Sequence, residues 1–141
     1  WSPDGTALWV AWDAYGPPPS STKVQSHLLV YDFSSGALQD ANATAVNTDP
    51  RLRITLAAPH PTTIFSLAGH DDEVGVVTAP YFGEAILELF RLTASGAERL
   101  AEVSLGTFDF DSPSVAEVVA GGRSFLVVGT ASGIQVLEVT R

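Results

Sequence analysis

Apolar residues in this chain recur at every second position in short runs, and Gly, Pro, Ser and Asp separate the runs. Leu52, Ile54 and Leu56 alternate strictly with polar neighbours. Period-two patterning of this length predicts β-strands, because successive side chains on a strand point to opposite faces. The same reading predicts strands over Leu8 to Ala14, Val24 to Phe33, Ala37 to Val46, Arg51 to Ala58 and Thr62 to Ala68. It continues with Val74 to Thr78, Ala85 to Thr93, Glu98 to Leu105, Ser114 to Ala120, Ser124 to Thr130 and Ile134 to Val139. Val74 to Thr78 is continuously apolar, as expected of a strand covered on both faces. Ala85 to Thr93 also fits a helix, with Ile86, Leu89, Phe90 and Thr93 on one stripe. The Ala94-Ser95-Gly96 turn that follows it, like Ser34-Ser35-Gly36 after Phe33, favours a strand.

The punctuation agrees. In Ser2-Pro3-Asp4-Gly5, Pro presets one dihedral, Asp bonds the local backbone and Gly accepts positive φ, so the turn feeds the first strand. Gly16-Pro17-Pro18-Pro19-Ser20-Ser21 removes ladder donors and forms a loop. Asn47-Thr48-Asp49-Pro50, Pro59-His60-Pro61 and Gly69-His70-Asp71-Asp72 break the chain again. The last third, with Gly121-Gly122-Arg123 and Ala131-Ser132-Gly133 as its turns, is an antiparallel meander.

Leu28-Leu29-Val30-Tyr31-Asp32-Phe33, Leu87-Glu88-Leu89-Phe90-Arg91-Leu92 and Ile134-Gln135-Val136-Leu137-Glu138-Val139 read as one strand written three times. Together with Ser-Pro-Asp-Gly and the Val30-Tyr31-Asp32 to Gly36 pattern, they resemble the WD40-like β-propeller superfamily, whose period is about 40–50 residues. The resemblance implies an all-β chain of antiparallel four-stranded blades, in units of about 1–46, 62–105 and 114–141, with a β-sandwich as the alternative. It implies that residues 1–46 supply the second to fourth strands of a blade and that the last unit lacks its outer strand. Leu67-Ala68-Gly69-His70 is similar to the Gly-His signature of strict WD40 repeats. It lies too near Ile86 for that spacing, and Trp12-Asp13 ends a different strand.

Composition narrows the function classes. The 141 residues are 45% hydrophobic and 16% charged, a globular balance. Seven basic residues stand scattered among sixteen acidic ones, giving a net charge of −9. This acidic protein has no basic stripe, which argues against nucleic acid and anionic membranes, and no apolar run is long enough for membrane insertion as a helix. Without Cys there is no disulfide, thiol nucleophile or Cys-bound zinc, and the composition suits reducing and oxidising compartments alike. Trp1 is not an initiator, so the chain is expected to follow an upstream segment that would carry any targeting signal.

Two stretches offer chemistry. His60, His70, Asp71, Asp72 and Glu73 supply hard-metal ligands, or else a solvated acidic loop. Phe108-Asp109-Phe110-Asp111-Ser112-Pro113 alternates aromatics with carboxylates. Asp109 and Asp111 would bind a cation or act as an acid/base pair, or else cap a turn while the Phe rings pack. The sequence contains no nucleophile elbow, P-loop or dinucleotide fingerprint, and Asn42-Ala43-Thr44 is a formal glycosylation triplet. Tyr15 with Pro17, Pro18 and Pro19 forms a loop suited to recognition. Two functions follow. The first is a non-enzymatic protein-binding scaffold that associates with the remaining blades or another subunit. The second, implied by resemblance to lactonase-like and dehydrogenase-like propellers, is an enzyme with a metal (a divalent cation such as Ca) or a cofactor at the channel mouth. Asp109, Asp111, His70 and Asp71 would then be its ligands. About ten or eleven strands make at most three blades, too few for a closed propeller, so the chain is expected to bind further polypeptide through its sheet edges.

Overall fold

A computed structural model describes residues 1–14, 25–32, 49–80, 83–107, 113–130 and 133–140. Among the described residues there are ten strands and no helix. The first sheet is β1 (Ala7–Ala14), β2 (Gln25–Asp32) and β3 (Leu52–Thr55). The second is β4 (Pro61–Leu67), β5 (His70–Thr78), β6 (Glu84–Leu92) and β7 (Ala97–Thr107). The third is β8 (Ser114–Ala120), β9 (Arg123–Thr130) and β10 (Gly133–Val139). Every pairing is antiparallel between sequence neighbours.

Local chemistry explains the elements. The Ser2 carbonyl accepts from Gly5 N–H at 2.9 Å, and Gly5 has φ +71°. Asp4 accepts from the Ser2 hydroxyl at 2.6 Å and from Thr6 N–H at 3.0 Å, which closes the turn before β1. The segment Ala85 to Thr93 is extended, as the turn after it predicts. Three expectations change. The free side of β2 is taken by β3, through Val30 against Leu52 and Leu28 against Ile54. Ala37 to Val46, expected as the next strand after β2, lies outside the described residues. The run His70 to Glu73 is the start of β5 rather than a loop, because Ala68-Gly69, with Gly69 at φ +75°, already completes the turn. Finally, β1 stands beside β4 and β4 beside β8, so the first sheet aligns with the others on its first strand, not its second.

The three sheets stack face to face with the second in the middle. Val74, Val76 and Phe90 pack against Trp9, Leu28, Val30 and Leu52 of the first sheet. On the other face, Val77, Leu87, Leu89 and Leu105 pack against Leu126 and Val128 of the third. Face-to-face sheets ordinarily lie about 10 Å apart. Along β1, β4 and β8 neighbouring backbones approach within 8 Å, so the layers converge on that side. They diverge toward β7 and β10.

Gly75 sits directly opposite Phe65 in the β4–β5 pair. A Cβ at Gly75 would fall 2.1 Å from Phe65 Cζ, far inside van der Waals contact. The ring thus covers a bare backbone, and a methyl group there has no room. Gly75→Ala is expected to lower stability by about 1–3 kcal/mol, measured from the urea midpoint, and Phe65→Leu in the same chain is expected to restore part of it. An unchanged midpoint in Gly75→Ala would refute this packing.

Candidate protein-binding surface

The third sheet has two dissimilar faces. Strand alternation turns Val115, Leu126, Val128, Leu137 and Val139 toward the second sheet. The opposite face is laid out in cross-strand rows. Val136, Val127 and Ala116 form one row, and Glu138, Phe125 and Val118 the next. Ile134 extends the face beside Gly129. Ile134 is 74% exposed, Val136 61% and Val118 46%. Arg123 crosses the rim, its guanidinium 5.4 Å from the Phe125 ring centroid and its Nε 2.6 Å from Glu138. The bond to Glu138 holds Arg123 above its ordinary pKa. The face is thus largely apolar and solvent-exposed, and the Arg123 and Glu138 charges at its rim are paired with each other.

The second feature is the mouth between β7 and β10. Among the described residues the second sheet has four strands and the third has three, so none of them lies opposite β7 across the gap. A cleft of about 370 Å³ results, floored by Leu87, Leu89 and Leu126 and walled by Ala101, Val103, Leu137 and Val139. Gln135 spans part of the gap, donating from Nε2 to the Leu105 carbonyl at 3.2 Å. At the polar end Glu73 is buried and meets Arg91 at 3.0 Å. Glu98 at 3.4 Å and Asp72 at 4.0 Å surround the same guanidinium. Its bond to Glu73, with the neighbouring charges, raises the Arg91 pKa.

Carboxylates lock the layers in register. Glu117 of β8 accepts from Ala68 N–H at 2.5 Å in the second sheet's first turn. Glu88 of β6, wholly buried, accepts from Ala57 N–H at 2.9 Å beyond β3, and Arg99 lies 3.1 Å away. Burial pushes the Glu88 carboxyl up, against the opposing pull of Ala57 N–H and Arg99. Asp13 of β1 accepts from the Ser26 hydroxyl, from His60 N–H at 3.0 Å and from His60 Nδ1 at 2.8 Å. His60 has φ +61°, a rare conformation for a residue with a side chain, and Asp13 grips both its backbone and its ring. Burial opposes ionisation of Asp13, but the Ser26 and His60 bonds together outweigh it and hold the carboxyl below its ordinary range. Ser26 donates to the carboxylate rather than to an imidazole, so the trio is a clamp and not a nucleophilic triad.

The sequence-predicted residues fall in several places. Tyr15, Pro17, Pro18, Pro19, Asp109 and Asp111 lie outside the described residues. His70 stands 3.7 Å from Glu73. Asp71 and Asp72 instead line an open acidic cleft between the first two sheets, with Asp4, Asp32 and Arg51. His60 belongs to the Asp13 clamp. Among the described residues no group of three or more His, Asp or Glu is arranged to hold a metal ion. Sequence reasoning missed Asp13, Glu88 and Glu117. A lone Glu within an apolar strand was the available signal for two of them. Compared with known proteins, the chain matches no family model, no curated protein and no solved structure.

The Asp13 clamp has a pH signature. A carboxylate depressed in the folded state contributes stability that is complete above its unfolded pKa, about 3.9, and lost as pH falls through the lower folded value. Asp13→Asn is expected to cost about 1–3 kcal/mol at pH 7, with the gap to the unaltered chain closing below pH 4. Unfolding midpoints measured from pH 7 to pH 2.5 check this, and a gap that stays constant would contradict it.

Proposed function

We propose that this chain is a segment of a WD40-like β-propeller that works as a non-enzymatic protein-binding scaffold, completed by further blades or by another subunit. The observation that carries the reading is the outward apolar face of the third sheet, with Ile134, Val136 and Val118 in solvent. An antiparallel meander covered on one face only is the natural end of a stack, and another sheet is its natural cover. The convergence of the layers along β1, β4 and β8 supports a radial arrangement, since propeller blades are wedges that meet at an axis. Three layers also exceed the two of a β-sandwich.

Rigidity suits the role. The Glu117, Glu88 and Asp13 ties prevent the layers from sliding, so the outer face is presented in one orientation. In native material the chain is expected to sediment in a complex. Ile134→Asp combined with Val136→Asp is expected to weaken that association by about tenfold or more and to leave the unfolding midpoint unchanged, since both side chains face solvent. Association unaffected by both charges would overturn the reading.

A further inference from the structure

We propose that the acidic cleft between the first two sheets binds a small polyhydroxylated amine, of the amino-sugar class. The cleft lies on the other side of the second sheet from the third, so the inference does not rest on the protein-binding reading above. It measures about 440 Å³, within the range of small-molecule sites. Asp4 reaches it from the turn before β1, Asp32 from the end of β2, and Asp71 and Asp72 from the start of β5. Asp4 accepts from Ser2 and Thr6, and these bonds hold its carboxyl below the ordinary range, so it adds a fixed negative charge. Against the four carboxylates, one guanidinium lines the cleft, that of Arg51. Its Nη1 already donates to the Thr93 carbonyl at 2.6 Å and the Ala94 carbonyl at 3.2 Å. Arg91 comes only within 4.0 Å of Asp72 and is held by Glu73 at 3.0 Å. The cleft therefore keeps an excess of negative charge.

An independent observation comes from Trp9. It lines the same cleft, it is 6% exposed, and its indole Nε1–H is buried with no hydrogen-bond acceptor. A buried donor left unpaired is costly, and folded proteins contain few of them. A ligand that answers both features carries positive charge for the carboxylates and an oxygen acceptor for the indole. Among the described residues no three carboxylates or imidazoles are arranged around one point, so a bare metal ion has no ligand shell here. An ammonium group needs only one or two carboxylates, and hydroxyl groups on the same molecule donate to the others. A hydroxyl or ring oxygen accepts from Trp9. A simple alkylamine would leave the indole unpaired, and a neutral sugar would forgo the charge. The net charge of −9 adds long-range attraction for a cation.

The probe is glucosamine, titrated at mildly acidic pH and low salt into the whole chain, with backbone amides and indole N–H groups followed by NMR. Saturable binding at millimolar glucosamine is expected, with the Trp9 indole resonance and the amides of Asp71 and Asp72 moving together. N-acetylglucosamine keeps the hydroxyls without the charge and is expected to bind at least tenfold more weakly. Ethylamine keeps the charge without the hydroxyls and is expected to leave the Trp9 indole resonance in place. Asp71→Asn combined with Asp72→Asn is expected to weaken glucosamine binding about tenfold. Both side chains stand in solvent, so this variant keeps the fold. Equal affinity for glucosamine and N-acetylglucosamine would overturn the proposal. So would glucosamine binding that leaves the Trp9 indole unmoved, binding undiminished in the double variant, or no saturation at tens of millimolar glucosamine.

Discussion

The structure depends on one constraint: the middle sheet is apolar on both faces. Val74 and Val76 look one way, Val77 and Leu87 the other, and all four are almost completely buried. Each such side chain stabilises the fold by about 1.5–3 kcal/mol when removed from water. Ordering a residue's backbone costs about 1–2 kcal/mol. An isolated four-stranded sheet with both of these faces wet would recover little of that cost. Covered on both sides, it becomes the support on which the first and third sheets stand.

Apolar contact alone leaves layers free to slide, and the carboxylates remove that freedom. Glu117, Glu88 and Asp13 each reach a backbone N–H of the neighbouring layer. Buried charges are costly, and such pairs add more to specificity of alignment than to net stability. Glu73 shows the same balance within one sheet, where Arg91 offsets its desolvation. A fixed register gives the third sheet a defined outer face and the gap between β7 and β10 a defined shape, which the proposed protein-binding role would use.

The strands were legible because alternation is a local property. Ala85 to Thr93 was decided between strand and helix by the turn that follows it, and the last meander was plain from its glycines. The neighbour of β2 was harder, since nothing in Arg51 to Ala58 states which earlier edge it will join. The start of β5 was hidden because His70, Asp71 and Asp72 have loop composition, although a two-residue turn had already closed at Gly69. The clamp between Asp13 and His60 joins residues 47 apart, and no local pattern announces it. The exposed face was in the sequence as Ile134 and Val136, but alternation assigns residues to faces without saying which face remains uncovered. Around His70, Glu73 is drawn inward by Arg91 while Asp71 and Asp72 stay in solvent, a division that the spacing of these residues does not show.

The most direct test of a stack held by its middle sheet and left open at its third is amide hydrogen exchange, resolved strand by strand in the isolated chain. The account predicts the slowest exchange in β5 and β6, intermediate exchange in β9, and fast exchange on the free edge of β10. Protection of β10 equal to that of β5, or loss of protection in β5 before β9, would contradict it.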